Sequence, residues 1–213
     1  MHATGTNFDN SILGGAIFGN SELNGAKFRH AHMDAISFEH SNMLVVDMVG
    51  AEARNAHFDG ASLTGANLSH GAFSGTDFSG ADLQLTEMVD TDMSKTDLKG
   101  SVLTDANVSG VDFTGAKHLT QAMLSSACIV GTKAPVVDAP LKPPSKVCYN
   151  TPQERDERQT KRLLTLAVGQ LAVSQGYCKN FQHQFRPSDS KLYPNENEGM
   201  WFGPEEIGDG TSH

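Results

Sequence analysis

The sequence predicts an all-β solenoid, a square coil of about 20 residues per turn, followed by C-terminal α-helices and an extended tail. Three observations carry that prediction. A large apolar residue falls at every fifth position: Phe8, Leu13, Phe18, Leu23, Phe28, Met33, Phe38, Met43, Met48, Ala53, Phe58, Leu63, Leu68, Phe73, Phe78, Leu83, Met88, Met93, Leu98, Leu103, Val108 and Phe113. These are 22 successive positions without a frame shift, and Ala53 is the undersized one. The residue two places earlier is small, valine or less, with Ile36 as the exception. Glycines such as Gly25, Gly60, Gly65, Gly75, Gly80, Gly100, Gly110 and Gly115 close the pentads, where a corner calls for an unusual dihedral. A helix has period 3.6 and a strand period 2, so neither sustains a beat of five. A chain that turns one corner per pentad does, with the large residue always facing the axis.

Four pentads per coil set a register. Phe18, Phe38, Phe58, Phe78 and Leu98 fall in one axial column, and Leu23, Met43, Leu63, Leu83 and Leu103 in the next. Neighbouring coils then pair as parallel strands about 4.8 Å apart, giving a rod roughly 26 Å long. Residues 1–116 form this body, and residues 1–5 lead into it without a strong cap. The first coil is therefore expected to meet a partner, another copy or a further segment.

The pattern in residues 1–116 resembles the pentapeptide-repeat family and covers roughly half of the chain. The resemblance implies a right-handed quadrilateral β-helix. The body ends where Thr120-Gln121-Ala122-Met123-Leu124 reads as a short helix capped by Thr120, with Leu119, Met123, Leu124 and Ala127 placed to lid the last coil. Residues 117–130 resemble the leucine-threonine-glutamine helix that closes many bacterial members. Residues 131–150, with Pro135, Pro140, Pro143 and Pro144, read as an extended linker. Residues 151–176 read as an amphipathic helix. Thr151 and Glu154 form a capping box around Pro152, and Leu163, Leu164, Ala167, Val168 and Leu171 make an apolar stripe ending before Gly176. Residues 177–213 have no period but carry Phe181, Phe185, Tyr193, Trp201 and Phe202, and read as an extended aromatic arm lying on a surface.

Three cysteines, Cys128, Cys148 and Cys178, lie outside the solenoid at spacings that match no zinc signature. The sequence leaves open one disulfide with a free thiol or three reduced thiols. In family members a cysteine pair flanks the linker, so the resemblance implies a Cys128–Cys148 disulfide. The chain as given shows no basic-then-apolar leader, which points to the cytoplasm; bonded cysteines and a removed leader would point to periplasm or thylakoid lumen. No run of 18 apolar residues occurs, so no membrane insertion is expected.

Residues 1–116 hold 15 acids and 5 bases, net −10, while the remainder is nearly balanced within a total of −9. Phosphate contacts need clustered Lys and Arg, so direct nucleic-acid binding is not expected. Asp77, Asp82, Glu87, Asp92 and Asp97 occupy one outward position in successive pentads and form a belt, read as solvating charge. Leu44, Val45 and Val49 break the polar pattern of outward positions, and Leu85 and Val89 repeat it two coils on. These five read as an apolar contact patch. Together with Leu164, Val168, Phe181, Phe185, Trp201 and Phe202 they are the candidate partner contacts.

No catalytic, cofactor or metal motif stands out. Among nine histidines, His57 and Asp77 share a column in adjacent coils, which predicts a ladder hydrogen bond rather than an acid–base couple. A filled rod is convex, whereas catalysis needs a concave, water-poor pocket. The expected function is a non-enzymatic scaffold or accessory subunit that binds a protein partner, or itself, through the helix and arm. The family also implies an alternative, since some members mimic duplex DNA and bind DNA gyrase. Duplex carries one charge per about 1.7 Å, so a rod of roughly 26 Å needs on the order of 15 charges on its exposed face. Net −10 spread over four faces falls short for a monomer.

Overall fold

The fifth residue of each pentad makes the corner. From Gly5 to Gly115 every such residue has φ between +53° and +73°. Glycine fills many of these positions, and Asn10, Asn20, Asn55, His30, His40, His70, Asp90 and Asp105 tolerate the left-handed region better than most residues. Three of the nine histidines are thus placed by backbone geometry. Ala35, Val45, Leu85 and Lys95 adopt the same conformation without that tolerance.

The computed structural model describes residues 1–149 and positions 153, 154, 156–158, 160, 161 and 164. The chain divides into two units, Met1–Gln175 and Gly176–His213, and all described residues lie in the first. Parallel bridges join residues 20 apart, from His2 with Glu22 to Asp97 with Lys117, so four pentads make each coil. The first and third residues of a pentad point inward. Phe18, Phe38, Phe58 and Phe78 stack with ring centroids 5.4, 5.0 and 5.1 Å apart. Phe8 and Phe28 stack at 4.8 Å in the column reached two corners later. Such pairs add about 0.5–1.5 kcal/mol each beyond the burial of their area. The undersized Ala53 lies one coil before Phe73 in its column, and Gly71 replaces the usual first-position side chain beside the Phe73 ring.

Backbone pairing accounts for four of the five amides in a pentad. In the pentad of Leu63, Ala61 donates to Phe58 O (3.0 Å), Ser62 to Ser41 O (2.9 Å), Leu63 to Asp82 O (2.8 Å) and Gly65 to Gln84 O (2.8 Å). Among the described residues, the fourth amide finds no backbone acceptor in any pentad. In about half of the pentads a side chain takes it instead. Asp77, Asp82, Asp92, Asp97 and Asp112 each accept from the amide two residues on, at 2.8–3.0 Å. Elsewhere the acceptor comes from the coil before, as Asp9 for Arg29 and Asp34 for Arg54, both at 2.8 Å. Inward hydroxyls are equally committed. Thr76 donates to Ala53 O at 2.6 Å, Thr86 to Leu83 O at 2.7 Å and Thr96 to Met93 O at 2.7 Å. Among the described residues no buried side-chain polar atom lacks a partner.

Beyond Lys117 the 20-residue register gives way, and Asn107 pairs with Cys128 and Asp112 with Val136. Between them lies α1, Gln121–Ser126, whose N-cap Thr120 accepts from the Met123 amide at 3.2 Å. Leu124 and Ala127 are buried against the solenoid core, with Leu119 and Met123 packed beside them. The proline-rich segment, read from the sequence as an extended linker, is hydrogen-bonded to the end of the solenoid. Phe113 donates to Val136 O (2.9 Å), Gly110 to Lys133 O (3.1 Å) and Cys148 to Ile129 O (2.9 Å), while Pro144 is buried. The reason is the open edge: a last coil leaves amides and carbonyls that something must satisfy. Cys128 and Cys148, the pair the resemblance implies, form a disulfide that holds this covering segment.

Candidate functional site

One outward column of corners runs Gly25, Val45, Gly65, Leu85, Asp105, and the non-repetitive C-terminal segment converges on its end. Lys146 bonds the Asp105 carboxylate, and Lys161 Nζ lies 3.7 Å from it. Arg158 donates from Nε to Glu87 at 2.9 Å and from a terminal nitrogen to the Asp105 carbonyl at 2.6 Å. The Arg158 side chain is only 9% exposed, so its charge depends on these partners. The Lys146 hydrogen bond, against the opposing effect of burial and with help from the charges of Lys146, Lys161 and Arg158, holds the Asp105 carboxyl below the ordinary range. The backbone around these cations is helical at Gln153, Glu154, Asp156, Glu157, Arg158, Thr160, Lys161 and Leu164. The helical state at these positions agrees with the helix that the sequence pattern predicts over 151–176.

This arrangement corrects the reading of the apolar patch. Leu44, Val45, Val49, Leu85 and Val89 were expected to face water. Val45 is 5% and Leu85 9% exposed, and Leu44, Val49 and Val89 are half-buried. Both buried residues sit at left-handed corners, φ 54° and 58°, next to Gly25 and Gly65, which have no side chain and are themselves buried. The column they share leads to Asp105, where the C-terminal cations are clasped. A β-branched residue in this conformation stores strain of about 1–3 kcal/mol, which persists only where surroundings enforce it. Leu164 remains 48% exposed. Val168, Phe181, Phe185, Trp201 and Phe202 lie outside the described residues.

The belt of acids has a different role from free solvation. Asp77, Asp82, Asp92 and Asp97 hold their own turns, and Glu87 binds Asn107 at 2.7 Å as well as Arg158. Asp97 also meets His118 at 2.7 Å; burial opposes its ionisation most, yet the His118 hydrogen bond, the Lys99 amide and the charges of His118 and Lys117 keep its carboxyl below the ordinary range. His57 and Asp77 are backbone bridge partners, but their side chains do not bond to each other, since Asp77 is turned to the Ser79 amide. The clasp residues Glu87, Asp105, Lys146, Arg158 and Lys161 escaped the sequence reading. Their only signal was a cluster of cations, Arg158, Lys161 and Arg162, opposite an acidic body, which names no partner residue.

Comparison with known proteins places these features. A family model described as pentapeptide repeats matches in 8 copies, over residues 4–39, 47–84 and 81–117. Among curated protein sequences none matches the chain. Solved structures similar to it include a pentapeptide repeat protein from the cyanobacterium Cyanothece 51142, 13% identical with TM-score 0.36 over 55% of this chain and 86% of that one. A trypsin-treated form of QnrB1, a plasmid-mediated fluoroquinolone resistance protein, is 22% identical with TM-score 0.32 over 58% and 64%. HetL, a pentapeptide repeat protein involved in heterocyst differentiation regulation in the cyanobacterium Nostoc sp. PCC 7120, is 17% identical with TM-score 0.24 over 61% and 87%.

Proposed function

The chain belongs to the pentapeptide-repeat family, and on that premise we propose that it is a non-enzymatic scaffold or accessory subunit, a right-handed quadrilateral β-helix that presents rigid faces and its C-terminal segment to a protein partner. The observation that carries this reading is the interior. Its axial columns are filled by stacked rings and aliphatic side chains, and its inward hydroxyls are bonded to carbonyls. Such a body has flat outer walls as its working surface. It holds those walls still, because each coil is hydrogen-bonded to the next along every side. The clasp at Asp105 then fixes the start of the C-terminal segment at a known place on one wall, and the half-exposed Leu164 beyond it is available for contact.

Duplex mimicry receives less support. Asp47 is paired with Arg29, Asp34 and Glu52 with Arg54, Asp90 with Lys133 and Asp105 with Lys146, so much of the anionic charge is neutralised on the rod itself. Purification of the full chain from its native source at near-physiological salt, with quantitative mass spectrometry, tests the proposal. A stoichiometric protein companion is the expected result. A clean monomer, or inhibition of gyrase supercoiling at micromolar protein, would replace it.

A further inference from the structure

The coil places residues from two consecutive rungs side by side. Glu39 and Asp59 are fourth-position residues of the same wall, one coil apart, and His57 is the second-position residue of the pentad holding Asp59. A carboxylate oxygen of Glu39, a ring nitrogen of His57 and a carboxylate oxygen of Asp59 all lie within 4.8 Å of one another. The two strands that carry them are joined on both sides of Glu39, by Phe38 N to His57 O at 2.7 Å and His40 N to Asp59 O at 2.9 Å. The donors are therefore mounted on backbone that cannot drift apart without breaking the ladder.

The set also stands out by what it lacks. On other walls, neighbouring carboxylates share a cation: Arg54 lies 2.8 Å from Glu52 and 3.5 Å from Asp34, and Arg29 lies 2.6 Å from Asp47. Among the described residues no lysine or arginine pairs with Glu39 or Asp59, and neither these acids nor His57 makes a side-chain hydrogen bond. Asp59 is also not a turn acceptor, unlike the belt acids. Two like charges this close repel, and an imidazole beside them adds a nitrogen donor. One nitrogen and two carboxylate oxygens suit a borderline first-row divalent ion, while magnesium and calcium prefer oxygen alone. Tetrahedral zinc with bonds near 2.0–2.1 Å needs its donor atoms about 3.3 Å apart, a closure that rotation of partly exposed side chains supplies.

We infer that Glu39, His57 and Asp59 form a binding site for a divalent transition-metal ion of the zinc type, bridging the second and third coils with water completing its shell. The ion cross-links adjacent rungs on the outer wall and performs no chemistry on a substrate. Calorimetric titration of the full chain with zinc chloride, in a non-chelating buffer with millimolar magnesium, tests the site. The wild type is expected to bind one ion in its tightest class and to melt at a higher temperature with it. His57→Gln and Glu39→Gln should each weaken that class at least about tenfold, the lower end of what even an outer-sphere change costs a metal site. His32→Gln, an exposed histidine beside Glu52 on another wall, should leave it unchanged. All three side chains point outward, and circular dichroism checks that the variants remain folded. No zinc binding by the wild type, wild-type titration of His57→Gln, or an equal loss in His32→Gln would each overturn the assignment.

Discussion

Replacing Gly71 with alanine sets two backbone effects of opposite sign against each other. Gly71 has no left-handed requirement, since it is a first-position residue and not a corner. At such a site Gly→Ala ordinarily stabilises by about 0.4–1 kcal/mol, because the unfolded chain loses freedom. Here the added Cβ would lie 2.5 Å from Cε2 of Phe73, 3.0 Å from Leu68 O and 3.2 Å from Ala51 O. The ring is fully buried, with the centroids of Phe58 and Phe78 6.1 and 5.9 Å away, so it can yield only by repacking against its neighbours. Overpacking of this kind costs about 1–3 kcal/mol. The difference leaves a net loss on the order of 1–2 kcal/mol. For a chain of this size that is about 2–8 °C in Tm by far-ultraviolet circular dichroism. Phe73→Leu removes the offending ring atom, so the double variant should fall short of the summed losses by about 0.5 kcal/mol or more. A Gly71→Ala protein as stable as wild type, or strictly additive losses, would show that the ring does not lean into the space the glycine leaves.

Three other outcomes follow from the same contacts. Thr76→Val keeps shape but strips the 2.6 Å donor from Ala53 O, whose usual turn partner Ala56 N does not reach it, and should cost about 1–3 kcal/mol in urea unfolding. Reduction of Cys128–Cys148 should loosen residues 128–148 by about 2–4 kcal/mol in hydrogen exchange while the coils before Lys117 keep their protection. The folded Asp105 carboxyl titrates below its unfolded value, so its contribution is complete above the ordinary carboxylate range and disappears as pH falls through the lowered value. Limited proteolysis near residue 150 should therefore accelerate on acidification, and Asp105→Asn should be cut readily at neutral pH with little further change in acid.

The solenoid was legible because a strict five-residue beat leaves only one register. Once Phe18, Phe38 and Phe58 share a column, coil length and inward positions follow. What escaped was whatever depends on a specific backbone atom. The fourth-position amide has no sequence mark of its own, so the acids that satisfy it, Asp77 and Asp92 among them, looked like surface charge. The left-handed corner explains His30, His40 and His70, a role that the residue type alone does not announce. The C-terminal clasp was hidden for another reason. Arg158 and Lys161 lie outside the repeat, and no period tells which wall they meet. Val45 and Leu85 looked exposed because the pentad rule places a corner residue outward and gives no measure of its burial.

The amide left over in every pentad has a bearing on what this rod's charge means. A backbone that strands one donor at each corner recruits short side chains with a lone pair, and aspartate and asparagine meet that need alike. Much of the molecule's anionic character is then scaffolding rather than a message to a ligand. Swapping such aspartates for asparagines would bleach the electrostatic surface while the coils stay wound. Any binding that survived the change would have been reading shape.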